Sequence, residues 1–270
     1  MTPMPPITPM TETMITFDVE TTGLHPIMER VIEIAAVRWC QGEPVETFQS
    51  LVCPNKPIDP RASEIHGLSD ADVADAPQSD AVLASFRAFI GNDTLAAHNS
   101  PFDMAFLTME SLRSRIDLVE TTVIDTLPLS RRAFPSLPSH RLTYLSKALG
   151  LGATQAHRAL DDAETAGRLL LRAYQELGEI PQHCRTPFPS QPKLRLPKPL
   201  RMLRQAVDQQ APTLIDYALP NGSVSEREII PIDIIDIMGK TYLFCRTCAG
   251  DEARTYRLDR IRSVLAMEAV

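Results

Sequence analysis

Apolar residues recur along this chain first with the period of strands, then with that of helices. Residues 14–19 form a short apolar run, and residues 31–39 alternate Val31, Glu33, Ala35, Val37 and Trp39 against Ile32, Ile34 and Ala36. A third run covers 45–53 and is closed by Pro54 and Pro57. The short gaps between these runs predict an antiparallel meander. In residues 79–90 the spacing changes, because Val82, Leu83, Phe86, Phe89 and Ile90 recur at helical intervals. Residues 94–97 read as a short buried strand. Residues 101–113 read as a helix opening on Pro101, tolerated in a first turn where no N–H is needed. A fifth strand is expected at 119–124, and helices near 126–134, 141–149 and 159–177. This β-β-β-α-β-α-β-α order predicts a mixed five-stranded sheet with helices packed on it.

The pattern breaks near Ile180. Residues 181–204 hold six prolines and six Lys or Arg without one acid, which suits an extended, semi-rigid spacer or one that also touches phosphates. After a short helix near 200–210, strands are expected at 213–219, 225–235, 241–246, 254–259 and 261–266. Asn221-Gly222 marks a hairpin between the first two. Such short, closely spaced strands predict a small barrel. The expected divisions are a disordered Pro- and Thr-rich start at 1–13, a domain at 14–180, a basic linker at 181–203 and a second domain at 204–270.

Charge divides at the same place. Residues 1–180 hold 14 Lys+Arg and 24 Asp+Glu, net −10, whereas 181–270 hold 13 and 10, net +3. The overall −7 therefore does not exclude a polyanionic partner, because local fields govern binding. No run reaches the ~18 apolar residues of a membrane helix, and the N-terminal residues lack the pattern of a secretory signal. Five cysteines are an odd number without framework spacing, so a reducing cytoplasm is expected.

Three acidic motifs carry candidate chemistry: Phe17-Asp18-Val19-Glu20-Thr21-Thr22-Gly23, His98-Asn99-Ser100-Pro101-Phe102-Asp103 and His157-Arg158-Ala159-Leu160-Asp161-Asp162. Asp18 and Glu20, two apart on a strand, share one face of the sheet. Asp103 comes early in the helix after the fourth strand; it can aim at the same point or only stabilise the helix start. His157 and Asp162 lie ~140° apart around a regular helix, so His157 is expected on the loop before it and Asp162 a turn inside. Phosphodiesters resist hydrolysis because their charge repels a nucleophile and their alkoxide leaves poorly. Two divalent cations ~3.5–4 Å apart answer both problems, and hard Mg²⁺ or Mn²⁺ prefers carboxylates. A histidine titrating near neutrality can take a proton from the attacking water.

Together the motifs resemble the DnaQ-like 3′–5′ exonucleases of the DEDDh group, typified by the DNA polymerase III epsilon subunit. The resemblance covers about residues 14–178 and implies an RNase H-like fold. It implies two Mg²⁺ (or Mn²⁺) ions on Asp18, Glu20, Asp103 and Asp162, with His157 as general base. The family spacing His-x-Ala-x-x-Asp selects Asp162 over Asp161. The same resemblance puts Thr21, Thr22, Gly23 and Leu24 around a 3′ nucleotide, with His66, Asn99 and Phe102 beside the strand. The implied partner is a single-stranded nucleic-acid 3′ end, DNA favoured, with a polymerase or repair partner unidentified.

Ile215-Asp216-Tyr217, Thr241-Tyr242-Leu243 and Arg257-Leu258-Asp259-Arg260-Ile261 resemble a WYL domain over about residues 205–268. This implies a small SH3- or Sm-like β-barrel that senses ligands, nucleic acids among them. Thr241 stands where Trp is usual. Candidate nucleic-acid contacts are Arg227, Tyr242, Arg246, Arg254, Arg257 and Arg260. Tyr242, Phe244 and Arg246 are expected to share one strand face, as are Arg254, Tyr256 and Leu258. Cys245 and Cys248 fall on opposite faces of a strand, which does not suit zinc. Two other readings are a regulator whose nuclease fold only binds single strands, which the complete acid set disfavours, and an RNA 3′-end-trimming enzyme.

Overall fold

The computed structural model describes residues 13–152, 158–189, 196–250 and 252–267, in two compact units, Met1–Pro189 and Ser190–Val270. The start expected to be disordered lies outside the described residues except for Thr13.

The first unit opens with the expected meander, β1 (Met14–Thr21), β2 (Val31–Cys40) and β3 (Glu43–Leu51). Three helices follow, α1 (Pro60–His66), α2 (Asp70–Val73) and α3 (Ser79–Ile90). Then come β4 (Thr94–Ala97), α4 (Pro101–Ser114), β5 (Thr121–Asp125), α5 (Thr126–Ala133), α6 (Leu142–Leu149), α7 (Ala159–Leu177) and β6 (Arg185–Phe188). The sheet order is β3-β2-β1-β4-β5-β6, with β4 and β5 parallel to β1 and the others antiparallel to their neighbours. This is an RNase H-like mixed sheet, but with six strands rather than five.

The sixth strand falls in the stretch expected to be a spacer. Pro187 argues against a central strand, yet among the described residues β6 pairs only with β5, and an edge strand tolerates a proline. Phe188 is fully buried in the core with Ile15 and Leu95, so the fold runs past Ile180. His66, expected in a loop, is the last residue of α1. That helix starts at Pro60 with the Asp59 carboxylate accepting the Arg61 N–H, and ends where Gly67 takes a φ of 76°.

β1 is central, and its alternation decides where the acids go. Ile15, Phe17 and Val19 pack against Val82, Phe86 and Phe106 of α3 and α4. Met14 packs with Leu129, Ala163 and Leu170 on the face covered by α5 and α7. Asp18 and Glu20 share the face of Met14. α7 sits tight on that face, since a Cβ at Gly167 would lie 2.3 Å from the Trp39 ring. Trp39 is itself fixed by its Nε1–H donating to Thr16 Oγ1 at 2.8 Å.

Among its described residues the second unit has one α-helix, α8 (Arg201–Gln209), and strands β7 (Thr213–Ala218), β8 (Val224–Ile237), β9 (Lys240–Thr247), β10 (Ala253–Arg257) and β11 (Ile261–Ala266). The antiparallel order is β10-β9-β8-β7-β11, and the end strands do not pair among the described residues. The expected closed barrel is therefore corrected to an open five-stranded sheet. β8 is longer than expected and shifts register between Pro231 and Asp233, a bulge that accommodates the proline's missing N–H. Leu200, Leu203, Ile215, Ile229, Leu243 and Val264 form its core. No helix among the described residues is long and apolar enough to cross a membrane.

Candidate active site

Asp18 and Glu20 leave β1 beside the first turn of α7, which brings in Asp162. One carboxylate oxygen from each of the three lies within 4.8 Å of the other two. The Asp162 N–H donates to the Arg158 carbonyl at 3.0 Å, so the helix is regular from its start. Its neighbour Asp161 is not part of the cluster. Asp103, 3% exposed in the first turn of α4, points at β1 between the two strand acids. Its Oδ1 accepts the Val19 N–H at 3.2 Å, and it stays outside the three-oxygen group.

Four acids crowded together, Asp103 buried and the others half-buried, repel one another. Burial first, then Asp103, Glu20 and Asp162, holds the Asp18 carboxyl well above the usual range. Glu20 is pushed up to about 8 by burial, with Asp162 and Glu33 adding repulsion. Asp103 is pushed up to about 8 chiefly by burial, against the pull of its backbone N–H bonds. A convergent set of anionic oxygens fits a hard divalent cation, whose charge would reverse these shifts.

Glu33 is a neighbour that the sequence reading missed. It lies opposite Glu20 on β2 and is fully buried. Its carboxylate accepts from Arg158 Nη2 at 2.9 Å, Gln49 Nε2 at 2.8 Å and the Ala159 N–H at 3.4 Å. These bonds tie the start of α7 to the sheet. The available signal was a lone acid in an otherwise apolar row, Val31, Ala35, Val37 and Trp39. His157, next to Arg158 in sequence, lies outside the described residues.

The remaining expected residues mostly line one cavity of about 460 Å³ that reaches all four acids: Thr21, Gly23, Leu24, His66, Asn99 and Phe102. Leu24 is 72% exposed at its rim. Thr22 is not in the lining. Its buried hydroxyl donates to Glu29 at 2.5 Å and accepts the Arg30 N–H at 3.0 Å, so it closes the 21–30 loop. Gly23 allows the Glu29 side chain to come close, since a Cβ there would sit 3.1 Å from Glu29 Cγ. His66 Nδ1 accepts the Leu68 N–H at 3.0 Å, which leaves the proton on the buried Nε2. Burial lowers the His66 pKa, and the Thr21 carbonyl acts in the opposite direction.

Residues 15–170 match the exonuclease family model. The chain belongs to the exonuclease family. Residues 199–265 of this exonuclease-family chain match the WYL domain. The PolC-type DNA polymerase III of Bacillus cereus is 39% identical over 168 residues, covering 62% of this chain and 12% of the polymerase. That of Oceanobacillus iheyensis is 42% identical over 168 residues, covering the same 62% and 12%. The chain thus spans about 12% of the length of the curated relatives it matches. Among solved structures, exonuclease X in complex with 5′ overhanging duplex DNA is 29% identical, with a TM-score of 0.51 over 62% of this chain and 93% of that one. E. coli exonuclease I in complex with a dA16 oligonucleotide has a TM-score of 0.55 over 89% of this chain and 55% of that one; at 17% identity the likeness is one of fold.

In the WYL domain of this exonuclease-family chain, the six candidate contacts do not share one surface. β10 pairs Arg257 with Tyr242 and Ala253 with Arg246, so Tyr242, Arg246 and Arg257 lie on one face of the sheet. Arg254 lies opposite the buried Cys245, and Arg227 opposite the buried Ile215, which puts both on the other face. Arg260 is in the turn between β10 and β11. Arg254 is paired with Glu252, and Arg257 reaches Asp259 from Nη2 at 2.5 Å.

Proposed function

We propose that this protein is a divalent-cation-dependent 3′–5′ exonuclease that removes nucleoside 5′-monophosphates from a single-stranded 3′ end, with DNA favoured. Its WYL domain binds or senses nucleic acid. The observation that carries this reading is the convergence of Asp18, Glu20 and Asp162 on one point in a cavity bordered by Leu24 and Phe102, with Asp103 buried behind them.

Asp18, Glu20, Asp103 and Asp162 would hold two Mg²⁺ or Mn²⁺ ions. Such ions supply the positive charge that lets a nucleophile approach a polyanion and an alkoxide leave. The chain's own groups do the rest. Leu24 and Phe102 offer apolar surface to the terminal base, and Thr21, Gly23 and Asn99 position its sugar and phosphate. His66 braces the wall beside Thr21 from beneath. His157 accepts the proton of the attacking water, the role that the family motif gives it. DNA is supported by the relatives, which are DNA polymerases and a nuclease solved with duplex DNA. A polymerase or repair assembly is the kind of partner those relatives suggest.

Matched 5′-labelled DNA and RNA oligomers, digested with Mg²⁺ and with EDTA, test the reading. A ladder shortening from the 3′ end of DNA, with 5′-monophosphate products and no cleavage in EDTA, is expected. Shortening from the 5′ end, or no cleavage with Mg²⁺, would overturn it. Faster digestion of RNA would move the substrate to RNA ends.

A further inference from the structure

A second cavity, about 710 Å³, meets the first at Asp18, His98, Asn99 and Asp162 and extends along the segment from α5 to α6. A polymer whose last nucleotide occupies the first cavity has to leave the carboxylates through other space, and this is the space that adjoins them. Its wall is basic. Arg131 stands in the last turn of α5 and Arg141 immediately before α6; both are exposed. Among the described residues neither side chain has an ion-pair or hydrogen-bond partner. Arg30 and Arg113, by contrast, bond Glu110, and Arg158 bonds Glu33, while the exposed Arg61 lines the first cavity and not this one.

The wall is also braced against the catalytic side. His98 Nε2–H donates to the His140 carbonyl at 2.9 Å, while its Nδ1 accepts from Thr126 Oγ1 at 2.9 Å. Ser130 gives its hydroxyl proton to the Leu127 carbonyl and accepts from His140 Nδ1 at 3.1 Å. These bonds hold the segment before α6 against the turn that carries Asn99 and leads to Asp103. Two uncommitted guanidinium groups on a fixed wall, beside a site that otherwise repels anions, match the charge and form of a phosphodiester backbone.

We propose that Arg131 and Arg141 take phosphates on the 5′ side of the scissile bond, so that the second cavity is the path of the substrate strand. The proposal rests on the exonuclease reading above. The test uses the full chain with Arg131→Gln and Arg141→Gln together, and two substrates. One is the p-nitrophenyl ester of thymidine 5′-monophosphate, which has a scissile phosphodiester but no upstream nucleotide. The other is an oligothymidylate of about ten nucleotides. The ratio of oligomer to ester kcat/KM should fall about tenfold or more. The log–log salt slope of oligomer binding should become shallower by about 1.4, two contacts at ~0.7 each. Arg131→Lys with Arg141→Lys should keep most of the ratio. Equal losses on both substrates would make the arginines part of the site's fold or chemistry, and no loss on either would take the strand elsewhere; both outcomes overturn the proposal. A wild-type chain that hydrolyses neither substrate would overturn the exonuclease reading itself, and this inference with it.

Discussion

The acids of the first unit and the arginines of the second are charged groups in opposite situations. Asp18, Glu20 and Asp103 are crowded together in a place where burial and mutual repulsion both oppose their ionisation. Arg158, which eases Glu20, is itself bonded to Glu33. Arg254 and Arg257, by contrast, stand on an edge strand, each beside its own acid. Surface pairs of that kind contribute ~0–1 kcal/mol, whereas a buried carboxylate without compensation costs several. The first unit therefore keeps an arrangement that its own stability does not favour, which is how a binding site differs from a solvated surface. The second unit's charges need no ligand to be accounted for.

The comparison breaks most sharply at the carboxylates. Asp18→Ala or Asp162→Ala should lower kcat by about three orders of magnitude or more, since each removes charge worth several kcal/mol to the bound cations. Asp161→Ala should stay within about threefold of the parent, a loss below ~1 kcal/mol. A dead Asp161→Ala beside an active Asp162→Ala would put the ligand one residue earlier on α7. Next in size is proton transfer. His157→Ala should lose ~10²–10⁴ in kcat while still binding Mg²⁺ and oligomer, measured by titration and by rate against pH. Lost metal binding with an unchanged pH profile would make the histidine structural.

The sequence carried much of this, and its gaps have physical causes. The faces of β1 follow from alternation, so Asp18 and Glu20 were legible as a pair, whereas only the spacing of the resembling family, His-x-Ala-x-x-Asp, separated Asp162 from Asp161. Thr22 was misplaced because a Thr-Thr-Gly loop does not say which hydroxyl turns inward to Glu29. Glu33 and Arg158 were missed because a salt bridge between residues 125 apart leaves no local pattern. β6 was taken for spacer because proline content dominated its reading, while one buried aromatic, Phe188, anchors it. Closure of the second unit's sheet depends on how far β8 and β9 coil, which strand periodicity does not encode. Arg131 and Arg141 carried no motif at all.

A third test concerns the cost of crowding the acids. Glu20 and Asp103 hold their protons to about 8 in the folded chain but would lose them near ~4 when unfolded. Between those limits the folded state binds more protons, so metal-free stability should fall as pH rises. In EDTA the melting temperature should be lower at pH ~8 than at pH ~6, by roughly 2–4 °C for each kcal/mol involved. Mg²⁺ should raise it again at the higher pH. Glu20→Gln, which cannot ionise, should flatten part of the slope. A wild-type melting temperature in EDTA that does not change over this range would mean the cluster is not held protonated.

The smallest effect is expected from the second unit. A chain ending at Pro189 keeps β6 and Phe188, whereas one ending at Ile180 would lose both from the sheet and its core. The Pro189 chain should therefore fold and still digest short oligomers. On long single strands it should bind more weakly, with a salt slope shallower by ~0.7 for each phosphate contact removed. In the full chain, Arg246→Ala with Arg257→Ala should account for much of that change, because Tyr242, Arg246 and Arg257 share one face. Arg254→Ala should account for little, since it projects from the other face. Filter binding at several salt concentrations compares the variants directly. An identical slope for the Pro189 chain and the full chain would mean that the WYL domain does not touch the strand. Its arginines would then be what their pairing with Glu252 and Asp259 makes them, a solvated surface, and all electrostatic binding would belong to the first unit.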